Sequence, residues 1–257
     1  MRVVRTFLDT RRGYRISLTV IEPALPSGKL PLLLLSHGLG VDHRYPLLQT
    51  IVGRFTRRGY CVAYFDFAGH GKTGGGILKR LVGNFYRDTL DVLRYLGTDS
   101  PYRGSKIVLV GHSIGALVAL LAAARRPRNL AGVVAIASNA ESEKKYLAMQ
   151  RAGKTEEYAT FTRIGRRKVH PDFWRDRRRY VPKQFIPKIS VPVLFMCGSA
   201  DTINTPRESR LLYRWAHAPR TLTIVGGADH YFRTERLRFT VSKRIEQWLA
   251  RQKKISH

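Results

Sequence analysis

Six short apolar runs alternate along this chain with longer segments of helical periodicity. Apolar runs without polar alternation are typical of strands buried on both faces, and their alternation with helices indicates a parallel sheet covered on both sides. We therefore predict an α/β fold with a mostly parallel central sheet, and the alternating pattern of 2–22 adds an antiparallel hairpin at its edge. The predicted strands are 30–36, 61–67, 106–112, 131–137, 192–198 and 222–227, and the predicted helices are 45–58, 84–97, 114–126, 207–216 and 235–251.

Residues 139–188 interrupt this alternation, because they contain no apolar run of strand length. The 257 residues suit one α/β domain, and an insertion of this length is usually a lid or a binding element. We predict a core built from 1–138 and 189–257, with 139–188 as a cap inserted between its two parts.

The bulk composition excludes several classes of protein. Cys61 and Cys197 lie in predicted strands, where they are expected to be buried thiols rather than a disulfide. The N-terminal segment has no apolar core of signal-peptide length, and the longest apolar runs are too short to span a membrane, so we predict a soluble, cytoplasmic protein. The net charge of +28 attracts polyanions, but the charges are scattered and no nucleic-acid-reading motif accompanies them. A specific nucleic-acid partner is therefore not expected.

The pentapeptide Gly-His-Ser-Ile-Gly at 111–115 follows a predicted strand and opens a predicted helix. This is the G-x-S-x-G pattern, which indicates a nucleophilic serine when it lies in a turn between a strand and a helix. The turn is so tight that the residues two positions before and after the serine must be small. The helix N-terminus behind it stabilises developing negative charge. We predict that Ser113 is a nucleophile.

A serine hydroxyl needs a base to take its proton, and the base needs an acid to orient it. Asp201 follows the predicted strand 192–198 and His230 follows the strand 222–227, so both would meet Ser113 at the carboxyl edge of the sheet. Glu141 or Glu143, after the strand 131–137, is an alternative acid. Asp229 is expected to cap the turn beside the histidine.

A tetrahedral intermediate at Ser113 would need two backbone N–H donors for its oxyanion. Ile114 directly follows the nucleophile and supplies the first. The glycines of Ser-His-Gly-Leu-Gly at 36–40 allow the N–H of Leu39 to supply the second, although a plain glycine turn is the alternative.

The segment Asp-Phe-Ala-Gly-His-Gly-Lys-Thr at 66–73 ends like a phosphate-binding loop. The loop G-x-x-x-x-G-K-[ST] needs glycine where this chain has Asp66, and a carboxylate there repels phosphate. Nucleotide binding is therefore the less favoured interpretation of this segment.

Together these motifs resemble the α/β-hydrolase superfamily over nearly the whole chain, most closely its esterase, monoacylglycerol-lipase and serine-aminopeptidase-like branch. The resemblance implies a triad of Ser113, Asp201 and His230, a structural turn at 66–73, and a cap over an acyl pocket. The cap and the helix around 84–97 are similar to those of feruloyl and short-chain esterases.

The predicted cap carries 14 basic and 6 acidic side chains. Within it, Phe173, Trp174 and Tyr180 lie among four arginines of the stretch 173–180. Two interpretations remain open: the stretch makes weak contact with an anionic membrane or lipid, or the aromatics pack the cap onto the core and the arginines are solvated.

The resemblance implies a serine hydrolase that cleaves small carboxylic esters of short to medium acyl chains through an acyl-enzyme, with no metal or organic cofactor. Thioesterase or peptidase activity uses the same triad, and a non-catalytic binding protein of this fold is a further alternative. The oligomeric state is not predicted.

Overall fold

An eight-stranded sheet forms the centre of the computed structural model, which describes residues 1–24, 30–217 and 219–252 apart from the side chains of 142 and 145. The last five residues of the predicted core segment 189–257 therefore lie outside the described part. The strands of this sheet are β1 (Arg2–Asp9), β2 (Arg15–Glu22), β3 (Leu32–Ser36), β4 (Val62–Phe65), β5 (Ile107–His112), β6 (Leu130–Ile136), and two later strands that we number β10 (Val193–Gly198) and β11 (Arg220–Val225).

The strand order across the sheet is β1-β2-β4-β3-β5-β6-β10-β11. Strand β2 pairs antiparallel with both β1 and β4, whereas every pair from β4 to β11 is parallel. The predicted mostly parallel sheet and its N-terminal edge hairpin are confirmed.

Helices cover both faces of the sheet. They are α1 (Pro46–Thr56), α2 (Val82–Arg94), α3 (Ile114–Ala123), α7 (Pro206–Trp215) and α8 (Glu235–Arg251). Helices α1 and α8 pack on one face, and α2, α3 and α7 pack on the other. In β3, Leu32 and Leu34 face the second group while Leu33 and Leu35 face the first, which explains why this strand is apolar throughout.

Between β6 and β10 the chain forms a set of short elements. They are α4 (Ser142–Arg151), β7 (Thr155–Glu157), β8 (Thr162–Ile164), β9 (Arg167–Val169), α5 (Phe173–Arg177) and α6 (Pro182–Phe185). Strands β7, β8 and β9 form an antiparallel sheet that the sequence did not predict, because each has three residues and bears exposed or partly exposed charged side chains. The boundaries of a cap at 139–188 stay a prediction.

The parallel strands β3, β5, β6, β10 and β11 all end at the same edge of the sheet. The loops that follow them hold Ser113, Asp201, His230 and Leu39, and Ile114 is the first residue of the helix after β5. In the described ranges, no helix has both the length and the apolar character needed to cross a bilayer. The thiols of Cys61 and Cys197 are both free.

Candidate active site

Ser113 lies in a sharp turn between β5 and α3. Its φ of 57° and ψ of −116° are unusual for a residue other than glycine. A Cβ on Gly111 would lie 2.4 Å from the carbonyl oxygen of Gly115, and a Cβ on Gly115 would lie 2.6 Å from the carbonyl oxygen of His37. The close backbone approach therefore requires both glycines of the motif, for the reason the sequence predicted.

The structure brings Ser113, His230 and Asp201 into one hydrogen-bonded chain. The Nε2 atom of His230 lies 3.1 Å from Oγ of Ser113, and its Nδ1 atom lies 2.8 Å from Oδ2 of Asp201. A neutral imidazole that donates from Nδ1 to a carboxylate keeps Nε2 free to accept a hydroxyl proton. The arrangement can therefore activate the serine hydroxyl.

The Asp201 carboxylate is oriented by the loop that follows β10. Its Oδ1 atom accepts hydrogen bonds from the backbone N–H groups of Ile203, at 2.8 Å, and Asn204, at 2.7 Å. These bonds leave Oδ2 free to accept from His230. They also offset the cost of removing the carboxylate from water, since Asp201 is only 3% exposed.

The alternative acids lie elsewhere. Glu141 forms ion pairs with Lys144 and Arg207, and Glu143 is exposed. Asp229 accepts hydrogen bonds from the N–H groups of Tyr231 and Arg233, so it caps the turn as predicted. The carboxylate beside His230 is that of Asp201.

Leu39 and Ile114, the two predicted oxyanion donors, line the same cavity as Ser113. Within the described part of the chain, neither backbone N–H donates to another protein group. For Ile114 this follows from its position at the start of α3, where helical N–H groups have no partner within the helix. Their joint role at an oxyanion stays a prediction.

Two buried histidines hold the loop after β3 against the loop after β4. Phe67 donates its N–H to Nε2 of His37 at 3.0 Å, and Gly40 donates its N–H to Nε2 of His70 at 3.3 Å. Each ring must stay neutral to accept such a bond. Burial lowers the pKa of both histidines to about 4, which keeps them in that form.

The segment 66–73 is a structural turn. Asp66, which is 1% exposed, accepts hydrogen bonds from the backbone N–H groups of His43, at 2.8 Å, and Lys72, at 3.0 Å. A Cβ on Gly71 would lie 2.1 Å from Oδ2 of Asp66, and Gly71 has a φ of +50°. The carboxylate thus occupies the inside of the turn and takes backbone N–H groups that a phosphate would need, which argues against the nucleotide interpretation. The Lys72 side chain is exposed.

His112 supports the backbone of His230. Its Nε2 atom donates to the carbonyl oxygen of His230 at 2.9 Å, and the ring is buried. Burial, together with the neighbouring His230, lowers the pKa of His112 to about 3. The sequence placed His112 only as a neighbour within the serine motif, and no local signal indicated this contact.

The Ser113 hydroxyl faces a cavity of about 130 Å³. Its wall is mainly apolar and includes Leu117, Ile164 and Phe173. Arg167 and Arg177 also line the cavity, and none of its lining residues in the described chain is Asp or Glu. The sequence did not single out either arginine, since their position in the wall depends on how the 139–188 elements fold over the sheet.

The aromatic stretch 173–180 packs inward. Phe173 is buried, Trp174 lines the cavity, and Tyr180 packs against the core beneath α2. The four arginines of the stretch differ in exposure, because Arg177 is buried and the other three are exposed. This packing favours the second interpretation of the stretch for its aromatic residues.

A family model described as the alpha/beta hydrolase family matches residues 32–256 of the chain. The chain is 28% identical over 254 residues to monoglyceride lipase of Homo sapiens, with 85% of this chain and 82% of the relative covered. It is 25% identical over 250 residues to a monoglyceride lipase homolog of monkeypox virus, with 85% and 88% covered. Est1E from Butyrivibrio proteoclasticus with bound ferulic acid has the same fold, with a TM-score of 0.81 at 18% identity over 96% of this chain and 98% of that one.

Proposed function

Because this chain belongs to the alpha/beta hydrolase family, as its motifs predicted, we propose that it is a serine hydrolase that cleaves carboxylic esters. The observation that carries the proposal is the hydrogen-bonded chain from Asp201 through His230 to Ser113, which ends in a mainly apolar cavity. The monoglyceride lipases among its relatives support an ester as the substrate.

Acylation begins when Oγ of Ser113 attacks the carbonyl carbon of the ester and its proton passes to Nε2 of His230. The carbon–oxygen bond to the alcohol then breaks, and the alcohol leaves with the proton from Nε2. The acyl group remains on Ser113 as an ester.

Deacylation repeats these steps with water. His230 takes a proton from the water, the hydroxide oxygen attacks the acyl carbon, and the bond to Ser113 breaks. Oγ of Ser113 recovers the proton from Nε2, and the carboxylic acid is released.

Asp201 holds His230 in the tautomer that has Nε2 free, and it stabilises the imidazolium formed in each half-reaction. The N–H groups of Leu39 and Ile114 would bind the oxyanion of both tetrahedral intermediates. One such donor contributes about 10²–10³-fold to kcat in enzymes of this mechanism.

The size of the cavity favours a short acyl group. A cavity of about 150 Å³ in another protein accommodates a benzene molecule. The cavity beside Ser113 is about 130 Å³, so an acyl chain of a few carbons fills it. Longer chains would have to extend through the opening of the cavity.

The experiment compares p-nitrophenyl esters of two to twelve carbons on the wild type, on Ser113→Ala, and on Ser190→Ala as a matched control. Ser190 is exposed and precedes β10, at the opposite edge of the sheet from the site. We expect the wild type and Ser190→Ala to hydrolyse the short esters with the same kcat/KM, and Ser113→Ala to lose turnover by about 10⁴-fold or more.

Two results would overturn the proposal. One is a wild type that hydrolyses none of the esters. The other is a folded Ser113→Ala protein that keeps the wild-type rate.

A further inference from the structure

Arg177 is a cation buried in the wall of the cavity beside Ser113. It lies at the end of α5, and only 3% of the residue is exposed. Phe173 and Trp174 of the same helix line the cavity with it. Buried charges are normally paired with an opposite charge, because an unpaired one is costly.

The hydrogen bonds of Arg177 go to neutral acceptors. Its Nη1 group donates to the carbonyl oxygen of Tyr180 at 2.8 Å, and its Nη2 group donates to Oδ1 of Asn139 at 3.0 Å. In the ranges that the structure covers, no carboxylate lies within 4.0 Å of this guanidinium. A guanidinium has five N–H donors, so these two bonds leave donors for a ligand.

The nearby carboxylates are held by other groups. Glu208 accepts from the side-chain amide of Asn139 at 2.9 Å and from the N–H of Ala140 at 3.1 Å. Asp176 accepts from the N–H of Gly83 at 2.8 Å. Burial lowers the pKa of Arg177 to about 9, although the negative charges of Glu208 and Asp176 act to raise it, so the side chain keeps its charge at neutral pH.

Arg167 adds a second cation to the same wall. Its Nη2 group donates to the hydroxyl of Tyr231 at 3.0 Å, and Tyr231 directly follows His230. Neither arginine has an acidic neighbour among the lining residues that the structure describes. The cavity therefore combines an apolar wall with a positive charge that forms no ion pair with any lining residue in the described chain.

We propose that Arg177 binds a carboxylate on the substrate, so that the preferred esters are acidic ones such as half-esters of short dicarboxylic acids. The proposal rests on the proposed ester hydrolysis and specifies its substrate class. The planar guanidinium matches a carboxylate, and a hydrogen bond to a charged group contributes more than a neutral one.

The test uses two competitors of p-nitrophenyl acetate hydrolysis that differ only in charge. Monomethyl glutarate carries a carboxylate, and methyl 5-amino-5-oxopentanoate carries a primary amide of nearly the same shape in its place. Their competitive inhibition constants are measured on the wild type, on Arg177→Met, and on Arg178→Met, which removes an exposed charge from the neighbouring position.

For the wild type we expect the acidic competitor to bind about 10- to 100-fold more tightly than the amide, as a charge-assisted hydrogen bond implies. The ratio should fall to about one in Arg177→Met and stay at the wild-type value in Arg178→Met. If Arg177 only held its helix against Asn139, Arg177→Met would weaken the binding of both competitors equally and leave the ratio of their inhibition constants unchanged.

A ratio near one in the wild type overturns the proposal, as does a ratio that survives in Arg177→Met. If Arg177→Met does not fold, a crystal structure of Ser113→Ala with monomethyl glutarate replaces it. The carboxylate should then lie within hydrogen-bond distance of the Arg177 guanidinium, and a carboxylate elsewhere refutes the proposal. If hydrolysis of p-nitrophenyl acetate depends on Ser113 but the acidic competitor binds no more tightly than the amide, the carboxylate-binding proposal is rejected and the proposed ester hydrolysis stands.

Discussion

Replacement of Asp201 by asparagine tests the proposed role of the hydrogen-bonded chain. Oδ1 of Asp201 accepts two backbone N–H groups, from Ile203 and Asn204, while Oδ2 contacts Nδ1 of His230. The asparagine oxygen will keep the Oδ1 position, because the reverse orientation would lose both backbone bonds, at about 1 kcal/mol each. Its NH₂ group must then face Nδ1 of His230.

An amide NH₂ facing Nδ1 forces the imidazole proton onto Nε2. That nitrogen then points a proton at Ser113 and can no longer accept one, so the base is lost although the geometry is kept. In a serine protease the same substitution lowers kcat by about 10⁴-fold, or about 5.4 kcal/mol of barrier, and we expect a similar loss here.

The assay is kcat/KM for a short p-nitrophenyl ester, with the thermal melting curve as a measure of folding. Asp229→Asn is the matched control, since Asp229 caps a turn next to His230 and an asparagine oxygen can accept the same N–H groups. It should keep kcat/KM within about threefold, because it leaves every partner of His230 in place. A folded Asp201→Asn protein with activity within tenfold of the wild type would refute the tautomer reasoning.

Two further predictions concern stability. Burial lowers the pKa of His112 from 6.5 to about 3, so between these values the unfolded chain binds a proton that the folded chain does not. The contribution of this group to the free energy of unfolding should be complete above pH 6.5 and should fall by up to about 1.4 kcal/mol per pH unit below it. Urea titrations between pH 7 and pH 5 should show that the free energy of unfolding of His112→Gln changes less with pH than that of the wild type. An equal change with pH in both proteins would contradict the assignment. Gly115→Ala should lower the free energy of unfolding by about 1–3 kcal/mol, because its Cβ would lie 2.6 Å from the carbonyl oxygen of His37. Gly226→Ala, whose Cβ would meet no atom within 4 Å, is the control, and equal urea midpoints for the two variants would contradict the steric argument.

The parts of the fold and site that the sequence predicted depend on local patterns. Strand β3 is buried on both faces, so its uninterrupted leucines identify it. Ser113 lies in a five-residue motif that is recognisable in the sequence, although its Gly115 approaches the distant backbone of His37. Asp201 and His230 could be placed because parallel strands end at one edge of the sheet.

The parts that could not be predicted depend on contacts between distant segments. The bonds from Phe67 to His37 and from Gly40 to His70 join loops about 30 residues apart, and a buried histidine has no pattern of its own. Arg177 resembles its exposed neighbours in the sequence. Only the tertiary packing of α5, which contacts α2 and leaves Arg177 buried, distinguishes it from them.

The backbone at Ser113 has a consequence for how this protein changes over generations. A non-glycine residue at φ 57° and ψ −116° costs about 1–3 kcal/mol, which glycine would recover. Selection for a durable fold alone would therefore drive this position to glycine. If Ser113 carries the proposed hydrolysis, descendants in which that activity is no longer selected should replace it with glycine and gain thermal stability.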